Sequence, residues 1–391
     1  MEGNNTRDKL LGNNEYISYE NLSSNHNVIV IGNDASGKTS NWVIPNAKWI
    51  NSRVTIVTDR AMSVSRSVAD WEEQIGESSP LEKFVFDAER KDGYKYNPFA
   101  SDFGDPVKKI RHLARSFLSA SKGVPQTEEF YSLYIALVCS VYFGVTTKTN
   151  NLQGLKDTFG MEFNEFKTKM ILFVQDAEKT FDNKPSFIEY LNKFINIPNS
   201  KSSMMFDYAR TGMAPFLNDS ALEMSDTQKN AVMRLDIQAY RMYVNLKPDK
   251  FDTTNCMFAL FLDNILDRHI YFSKNLEEDI TPYKHFVLDH IELLPLSPHV
   301  RKNLVNVSKM GITTTVVAEH AVDVKSYFET FGTTVLMGGT DSPEDIRFLS
   351  ETYSVSIDDI MASNKPDNVL IFRKGVPMSV DRKLGERGVF S

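Results

Sequence analysis

Cysteine is nearly absent from this chain, with only Cys139 and Cys256 among 391 residues. Each lies within an apolar run, which favours a buried thiol over a disulfide or a metal ligand. The seven histidines show neither C-x-x-C nor H-E-x-x-H spacing, so the sequence argues against a structural zinc site. This cysteine usage is typical of a protein that works in a reducing cytoplasm.

Long hydrophobic runs are missing as well. No stretch of 18 consecutive apolar residues occurs, which predicts that this sequence does not span a membrane. Residues 1–20 are polar, so no secretory signal peptide is expected there.

Positive charge is not in excess either. A net charge of −7 argues against a uniformly basic surface that coats nucleic acid, but it permits a local basic channel.

The residues that are present point first to nucleotide chemistry. Gly32 to Thr39 follow the pattern G-x-x-x-x-G-K-[ST] between an apolar run and a predicted helix, which is the setting that this phosphate-binding loop requires. Its glycines let backbone N–H groups face a phosphate, Lys38 would reach the β- and γ-phosphates, and the Thr39 hydroxyl would hold Mg²⁺. We therefore predict a site for ATP and Mg²⁺. Its nucleotide-binding residues are Gly32, Asn33, Asp34, Ala35, Ser36, Gly37, Lys38, Thr39 and Ser40.

A P-loop needs a carboxylate to complete the Mg²⁺ shell, usually at the end of another apolar strand. Asp289, after the run His-Phe-Val-Leu, is the first candidate, and Asp59 is the second. Hydrolysing ATPases often place a glutamate directly after this aspartate as the general base, whereas here the next residue is His290. Either His290 or Glu292 takes that role, or His290 is only a loop residue and hydrolysis is slow.

A polar residue that senses the γ-phosphate is expected after a neighbouring strand, and Glu319 follows the apolar run 313–318. A carboxylate beside a phosphate is electrostatically unfavourable, so Glu319 is expected to hold a water molecule or the outer shell of the metal. Arginine fingers in ring ATPases come from the neighbouring subunit. The candidates in the late part of the chain are Arg347, Arg373 and Arg382.

Apolar periodicity predicts an α/β fold with a largely parallel sheet, because strands and helices alternate. Apolar runs predict strands at 27–32, 53–59, 83–86, 240–245, 284–289, 313–318, 333–337, 369–372 and 376–381. Three- and four-residue apolar spacing predicts helices at 38–51, 63–75, 106–120, 126–145, 163–180, 184–195, 224–240, 258–270, 298–309, 321–330 and 342–353. Asn-, Ser-, Gly- or Pro-rich segments predict loops at 146–156, 196–203 and 212–222.

A long run of helices without a predicted strand divides the chain into domains. We predict a nucleotide-binding domain formed by residues 25–105 and 236–391, with an inserted all-α domain at 106–235 and an N-terminal lead-in at 1–24. Three aromatic residues lie close together on one inserted helix, and we expect them to pack in its core rather than to stack on bases. They are Phe130, Tyr131 and Tyr134.

The order of these motifs resembles the cytosolic part of the coupling proteins of type IV secretion, the TraG/TraD-type ATPases of conjugation. The most specific part of the resemblance is the combination of the P-loop, a Tyr-Asn-Pro-Phe turn and the helical insertion. The segments that carry it are Asn25 to Thr39, Val43-Ile-Pro-Asn46, Val57-Thr-Asp59, Tyr96-Asn-Pro-Phe99, Glu129-Phe-Tyr131, Leu288-Asp289, Val317-Ala-Glu319 and Val335-Leu-Met-Gly-Gly339.

The resemblance implies a RecA-like motor that uses ATP, with the all-α domain recognising substrates. It implies a homo-oligomer, hexameric when assembled, which docks on the membrane proteins of a secretion channel. The implied substrates are a relaxase or another secreted protein, and single-stranded DNA. The implied location is cytoplasmic, peripheral at the inner face of the cell membrane. The anchor then comes either from a segment outside this sequence or from a membrane partner.

Three positions depart from the pattern of that family. Arg60-Ala-Met follows Asp59 in place of Pro-Lys-Gly-Glu, His290 stands for a glutamate, and Glu319 stands for a glutamine. The expected function is a coupling ATPase that recruits or translocates DNA or a relaxase–DNA substrate. The alternative is a nucleotide-binding adaptor with weak or no hydrolysis that recruits secretion substrates. The inferred catalytic residues are Lys38, Asp289, His290 and Glu319, and the inferred metal ligands are Thr39 and Asp289.

Overall fold

The computed structural model describes residues 9–17, 25–49, 52, 54–75, 81–100, 105–180, 185–226, 240–275, 284–307 and 311–384. Nine of the described strands form one sheet, and two short ones pair separately. The strands are β1 (Lys9–Leu10), β2 (Tyr16–Ile17), β3 (Val28–Ile31), β4 (Val54–Arg60), β5 (Glu82–Phe86), β6 (Tyr240–Leu246), β7 (Lys284–Leu288), β8 (Ile312–Ala318), β9 (Thr333–Met337), β10 (Asn368–Arg373) and β11 (Val376–Arg382).

The nine-stranded sheet has the order β11-β10-β9-β3-β8-β7-β4-β6-β5. From β9 to β5 every neighbouring pair is parallel, while β10 and β11 pair antiparallel. Strands β3, β7, β8 and β9 are buried along their whole length. Buried parallel strands need apolar residues on both faces, which explains their continuous apolar runs. The predicted parallel sheet and final hairpin are confirmed.

Strand β8 lies between β3 and β7 in this order. Its register pairs Val317 with Val30 of β3, and Val316 with Leu288 of β7. Because the three strands are parallel, their carboxyl ends lie at the same edge of the sheet. The residues that follow them, beginning at Gly32, Asp289 and Glu319, are therefore brought together although they are far apart in the sequence.

The helices between residues 105 and 226 are more numerous than predicted. The described helices are α1 (Ile44–Trp49), α2 (Ser63–Ile75), α3 (Pro106–Ser119), α4 (Glu128–Tyr142), α5 (Leu152–Phe159), α6 (Phe163–Thr180), α7 (Ser186–Ile195), α8 (Asn199–Gly212), α9 (Ala214–Leu217), α10 (Asp219–Ser225), α11 (Thr253–Asn275), α12 (Pro298–Asn306), α13 (Pro343–Tyr353) and α14 (Ile357–Ser363). The predicted helix at 224–240 falls mostly on residues 227–239, which lie outside the described part of the chain.

The three predicted loops at 146–156, 196–203 and 212–222 were wrong in part, since α5, α8, α9 and α10 enter them. The polar residues that suggested loops are helix caps instead. The Asn151 side chain accepts hydrogen bonds from the backbone N–H groups of residues 153 and 154, and Asn218 accepts one from Ala221. An asparagine side chain can stabilise a turn, and it can equally accept hydrogen bonds from the unpaired N–H groups of the first turn of a helix.

The helix after the P-loop begins with a π-helical segment, Thr39–Val43, and continues as α1. Pro45 lies inside this helix, which continues past it to Trp49. The irregular segment lies directly before it, where the missing proline N–H interrupts the usual hydrogen-bond pattern.

Residues 9–17 pack against the opposite end of the chain. Strands β1 and β2 pair antiparallel, and the Asp381 carboxylate accepts hydrogen bonds from the backbone N–H groups of Asn14 and Glu15. The Lys9 ammonium is buried and donates to the His26 carbonyl at 2.8 Å. These contacts connect the start of the described chain to the strand that precedes the P-loop.

One hydrophobic core cluster joins a face of the sheet to the helices of the 105–226 region. Within it α4 is buried on nearly every side, and the predicted core role of its three aromatic residues is confirmed, since each is at most 8% exposed. Tyr134 donates to the Ser121 hydroxyl at 2.7 Å.

Both cysteines are buried free thiols. Among the described helices, none has the length and apolar character needed to cross a membrane.

Candidate nucleotide-binding site

The loop from Gly32 to Thr39 turns sharply between β3 and the following helix. A short 3-10 turn covers Asp34–Ser36, and Gly37 follows in the left-handed conformation with φ of 80°. A Cβ atom at Gly32 would collide with the Ser36 hydroxyl, and one at Gly37 with the Asn41 amide. Gly32 is thus required by the close packing around it, and Gly37 by its left-handed backbone conformation.

Lys38 is buried within this loop, with 4% of its surface exposed. Its ammonium donates to the Gly32 and Asn33 carbonyls, the second at 2.9 Å. Burial lowers the Lys38 pKa, and the charges of nearby carboxylates, led by Asp289, oppose that shift. The Ser36 hydroxyl is also buried and has no hydrogen-bond partner among the described residues. A loop that holds a cation and an unsatisfied donor fits phosphate oxygens.

Thr39 and Asp289 are in direct contact across the loop. The Thr39 hydroxyl donates to Asp289 Oδ2 at 2.6 Å, and Asp289 Oδ1 accepts from the His290 backbone N–H at 3.0 Å. The Thr58 hydroxyl, from the neighbouring strand, donates to the Asp289 carbonyl at 2.6 Å. A hydroxyl and a carboxylate side by side form the oxygen donor set that Mg²⁺ takes in P-loop proteins.

The electrostatics of the site also suit a cation. Asp289 is completely buried, and this burial raises its pKa although His290 and the Thr39 hydrogen bond act in the opposite direction. The carboxylates of Asp34, Glu292 and Glu319 lie near enough to act on Lys38 as well. Burying a carboxylate without a compensating cation is costly, and a divalent ion would remove that cost.

His290 begins a 3-10 turn in the left-handed conformation, with φ of 55° and ψ of 49°. Its Nδ1 atom lies 3.1 Å from Glu292 Oε1. Burial alone would lower the His290 pKa, but the hydrogen bond to Glu292 and the charge of Asp289 outweigh it, so the pKa is raised. The two candidate bases from the sequence are therefore in contact with each other.

Glu319 follows β8 at the edge where the P-loop lies. Its carboxyl group shares a hydrogen bond with Asp34, which raises the pKa of Glu319 and lowers that of Asp34. The first proton is therefore held more readily by Glu319 than by Asp34, because neighbouring like charges oppose each other's ionisation. Because β8 lies between β3 and β7, Glu319 follows the strand that separates the P-loop strand from the Asp289 strand.

Asp59, the second candidate for the metal carboxylate, binds a helix start instead of Thr39. Its two carboxylate oxygens accept from the Ser63 hydroxyl at 2.9 Å and the Val64 backbone N–H at 2.6 Å. Burial raises the Asp59 pKa to about 6. Asp59 thus holds the start of α2, and it is Asp289 whose carboxylate contacts Thr39.

Lys383 contacts the P-loop although nothing in the sequence pattern indicates it. Its ammonium donates to the Ser36 carbonyl at 2.6 Å and to the Gly338 carbonyl at 3.1 Å. Burial lowers the Lys383 pKa, although the charge of Asp367 opposes the shift. Asn33 also donates to Asp341 at 3.3 Å. The residues after β9 and β11 therefore form one wall of the site.

The three arginine-finger candidates lie in different surroundings. Arg373 forms a 2.8 Å ion pair with Glu15, which gives it a structural partner within the chain. Arg347 and Arg382 are exposed. The geometry of a single chain does not bring any of the three into contact with Lys38 or Asp289.

The sheet order and the loop together define a class of protein. A parallel sheet with the P-loop strand, a neighbouring strand and then the aspartate strand is a RecA-like P-loop fold, here with a group of helices between β5 and β6. The fold class predicted from the sequence is confirmed.

Known proteins were compared with the chain at three levels. No protein-family model and no curated protein sequence matches it. Among solved structures it is similar to the bacterial conjugative coupling protein TrwBΔN70, with a TM-score of 0.68 at 12% identity over 97% of this chain and 89% of that one. TrwB in complex with ADP and Mg²⁺ gives 0.66 at 12% identity over 98% and 92%. VirB4 of Thermoanaerobacter pseudethanolicus gives 0.54 at 15% identity over 98% of each chain. The resemblance to coupling proteins inferred from the sequence is thus confirmed for the fold.

Proposed function

We propose that this protein is a coupling ATPase of a type IV secretion or conjugation system, which binds ATP with Mg²⁺. The observation that carries the proposal is the 2.6 Å contact between Thr39 and Asp289, formed beside a P-loop in a chain with the fold of a conjugative coupling protein. The TrwB structures solved with ADP and Mg²⁺, with a non-hydrolysable ATP analogue and with a non-hydrolysable GTP analogue support a nucleotide with Mg²⁺ as the ligand.

The roles within the site follow from the contacts. The loop from Gly32 to Ser40 surrounds the phosphates, and Lys38 exchanges its two carbonyl partners for phosphate oxygens. Thr39 and Asp289 would hold the metal ion, which when bound would neutralise charge at the phosphates. His290 and Glu292, which contact each other, act together on the attacking water, and Glu319 would position a second water or the outer shell of the metal.

The partners of the proposed protein come from the same resemblance. The inserted domain predicted at 106–235 recognises a relaxase or another secreted protein, with single-stranded DNA as the transported strand. The chain assembles as a hexamer on the membrane proteins of the secretion channel, at the cytoplasmic face of the cell membrane. Chromatographic sizing with and without Mg-ATP tests the assembly.

Lys38→Ala provides the test of nucleotide use. The wild-type chain is expected to bind a fluorescent ATP analogue with Mg²⁺ and to release phosphate, faster with single-stranded DNA. Lys38→Ala should lose at least about tenfold in affinity, since a charge-assisted contact contributes about 1.5–3 kcal/mol. Lys91→Ala, at an exposed lysine, is the matched control and should behave as wild type. Equal binding by wild type and Lys38→Ala would refute the proposal.

A second function is favoured by one specific observation. His290 is paired with Glu292, and Glu319 with Asp34, so both residues expected to act on the attacking water already have a carboxylate partner. A nucleotide-binding adaptor that recruits secretion substrates without turnover fits this arrangement. Lys38-dependent binding without phosphate release, with or without DNA, would support the adaptor. Lys38-dependent turnover would support the motor.

A further inference from the structure

A second polar cluster lies where α3, α11 and α12 meet, outside the candidate nucleotide-binding site. His112 of α3 places Nδ1 at 2.5 Å from Asp267 Oδ2, and His299 of α12 places Nε2 at 2.9 Å from Asp267 Oδ1. The two imidazole rings lie side by side, with centroids 3.8 Å apart. Both rings therefore direct a nitrogen at the same carboxylate of α11.

Asp263 lies one helical turn before Asp267 and adds a second carboxylate. It is 4% exposed, and its Oδ2 atom accepts from the Ser116 hydroxyl at 2.5 Å. Its Oδ1 atom is buried without a hydrogen-bond partner among the described residues and lies 3.8 Å from His299 Nε2. A buried carboxylate oxygen with no partner is costly. An additional group at this point would remove the cost.

The cluster opens into a cavity of about 450 Å³. The side chains of His112, Asp263, Asp267 and His299 all line it, and so does Asn264, whose Oδ1 atom is also without a partner among the described residues. The cavity has room for an ion and for water molecules, so an ion has a route to the unpartnered oxygens.

We propose that His112, Asp267 and His299 bind one divalent transition-metal ion of the zinc class, with Asp263 as the additional carboxylate. Ligand atoms of the first three residues all lie within 4.8 Å of one another. Metal–ligand distances of about 2.0–2.2 Å need ligand atoms roughly 3.3–3.6 Å apart. Small side-chain rotations that open the present hydrogen bonds by about 1 Å therefore produce the coordination.

The donor set decides the kind of metal. Two imidazole nitrogens with carboxylate oxygens suit Zn²⁺, Co²⁺ or Ni²⁺, whereas Mg²⁺ and Ca²⁺ prefer oxygen ligands alone. The site should thus be separable from the Mg²⁺ of the P-loop by metal preference.

The position of the cluster gives the ion a structural effect. α3 begins the helical region, while α11 and α12 flank β7 along the chain. A metal held by all three helices fixes the start of the helical region against the nucleotide-binding region. The inference rests on these side chains alone and is independent of the proposed function.

The experiment uses the full chain, purified without a histidine tag and free of nucleotide. Zn²⁺ is titrated in competition with a chromophoric chelator, and Co²⁺ is added separately to record visible d–d absorption. We expect one Zn²⁺ per chain, a Co²⁺ spectrum of low-coordinate nitrogen–oxygen type and a higher Tm with Zn²⁺. His112→Gln and His299→Gln should each weaken Zn²⁺ binding more than about tenfold, because each removes one ligand.

Two controls make the result decisive. His320→Gln removes a histidine that also faces a carboxylate, Asp345 at 3.1 Å, and should leave Zn²⁺ binding unchanged. His290→Gln tests the histidine beside Asp289 as a competing site. The proposal is overturned if wild-type protein binds no stoichiometric Zn²⁺ at micromolar concentration. It is equally overturned if His290→Gln, rather than the variants at positions 112 and 299, removes the binding.

Discussion

Asp289→Asn should separate the stability of the free protein from its affinity for Mg-nucleotide. Asparagine has nearly the same shape, and one amide oxygen can still accept from the His290 backbone N–H. Its amide nitrogen can donate to the Thr39 hydroxyl, which then acts as acceptor. Burial raises the Asp289 pKa, so the charged form is disfavoured in the folded chain. The neutral variant is therefore expected to be as stable as wild type, or about 1 kcal/mol more stable.

With Mg-ATP the order should reverse. A ligand at about 100 times its Kd stabilises a protein by ~2.7 kcal/mol. Unfolding entropy of about 2.1 cal/mol/K per residue gives roughly 0.8 kcal/mol/K for a chain of this length, so the wild-type Tm should rise by about 3 °C. Asp289→Asn should lose most of this rise, because one metal ligand is neutral. Thermal melting with ATP, with and without Mg²⁺, measures both effects.

Asp59→Asn is the matched control, since Asp59 is also a buried carboxylate at the end of a neighbouring strand. Its oxygens bind the start of α2 and not Thr39, so this variant should keep the full rise in Tm with Mg-ATP. The assignment of Asp289 as a metal ligand is refuted if the two variants lose the rise equally, or if Asp289→Asn keeps it.

Two further predictions concern Lys383, which contacts the P-loop, and the pH dependence that Asp59 causes. Lys383→Met removes the hydrogen bonds to Ser36 and Gly338 and should weaken Mg-ATP binding by about three- to tenfold, measured by fluorescence titration. Lys374→Met, whose lysine donates to a carbonyl outside the P-loop, should leave binding unchanged, and equal losses would contradict the prediction. The Asp59 pKa is raised to about 6, so the folded state binds its proton more tightly than the unfolded state. The free energy of unfolding of the wild type, relative to that of Asp59→Asn, should thus fall by about 1–3 kcal/mol as pH rises from about 4 to about 6. Urea unfolding that shows no such difference between the two proteins would contradict this prediction.

The sheet and the P-loop were predictable because their signals are local. Each parallel strand is indicated by a short apolar run. The loop is indicated by eight consecutive residues, from Gly32 to Thr39. Burial on both faces enforces the first pattern, and close backbone approach enforces the second. Asp289 was selected as a candidate in the same way, as the polar residue that ends a buried run.

Two contacts between distant segments that lack a motif were not predictable. Lys383 meets Ser36 only because β11 folds back along the sheet, and His112 meets Asp267 and His299 only because three helices converge. Spacing motifs detect metal ligands that lie on one element of the fold. They do not detect proposed ligands that come from three different helices. Asn151 and Asn218 show a different limit, because the same side chain that begins a turn also caps a helix.

The contact between His290 and Glu292 bears on the proposed hydrolysis of ATP. Glu292 Oε1 faces His290 Nδ1, while its Oε2 atom is buried without a partner among the described residues. We expect the pair to act as one unit, in which His290 orients the carboxylate and Glu292 offers the free oxygen to the attacking water. His290→Gln, Glu292→Gln and the double variant should then lose turnover by similar factors, because effects within one unit are not additive. Losses that multiply in the double variant would show that the two residues act separately, and phosphate release at saturating Mg-ATP is the measurement.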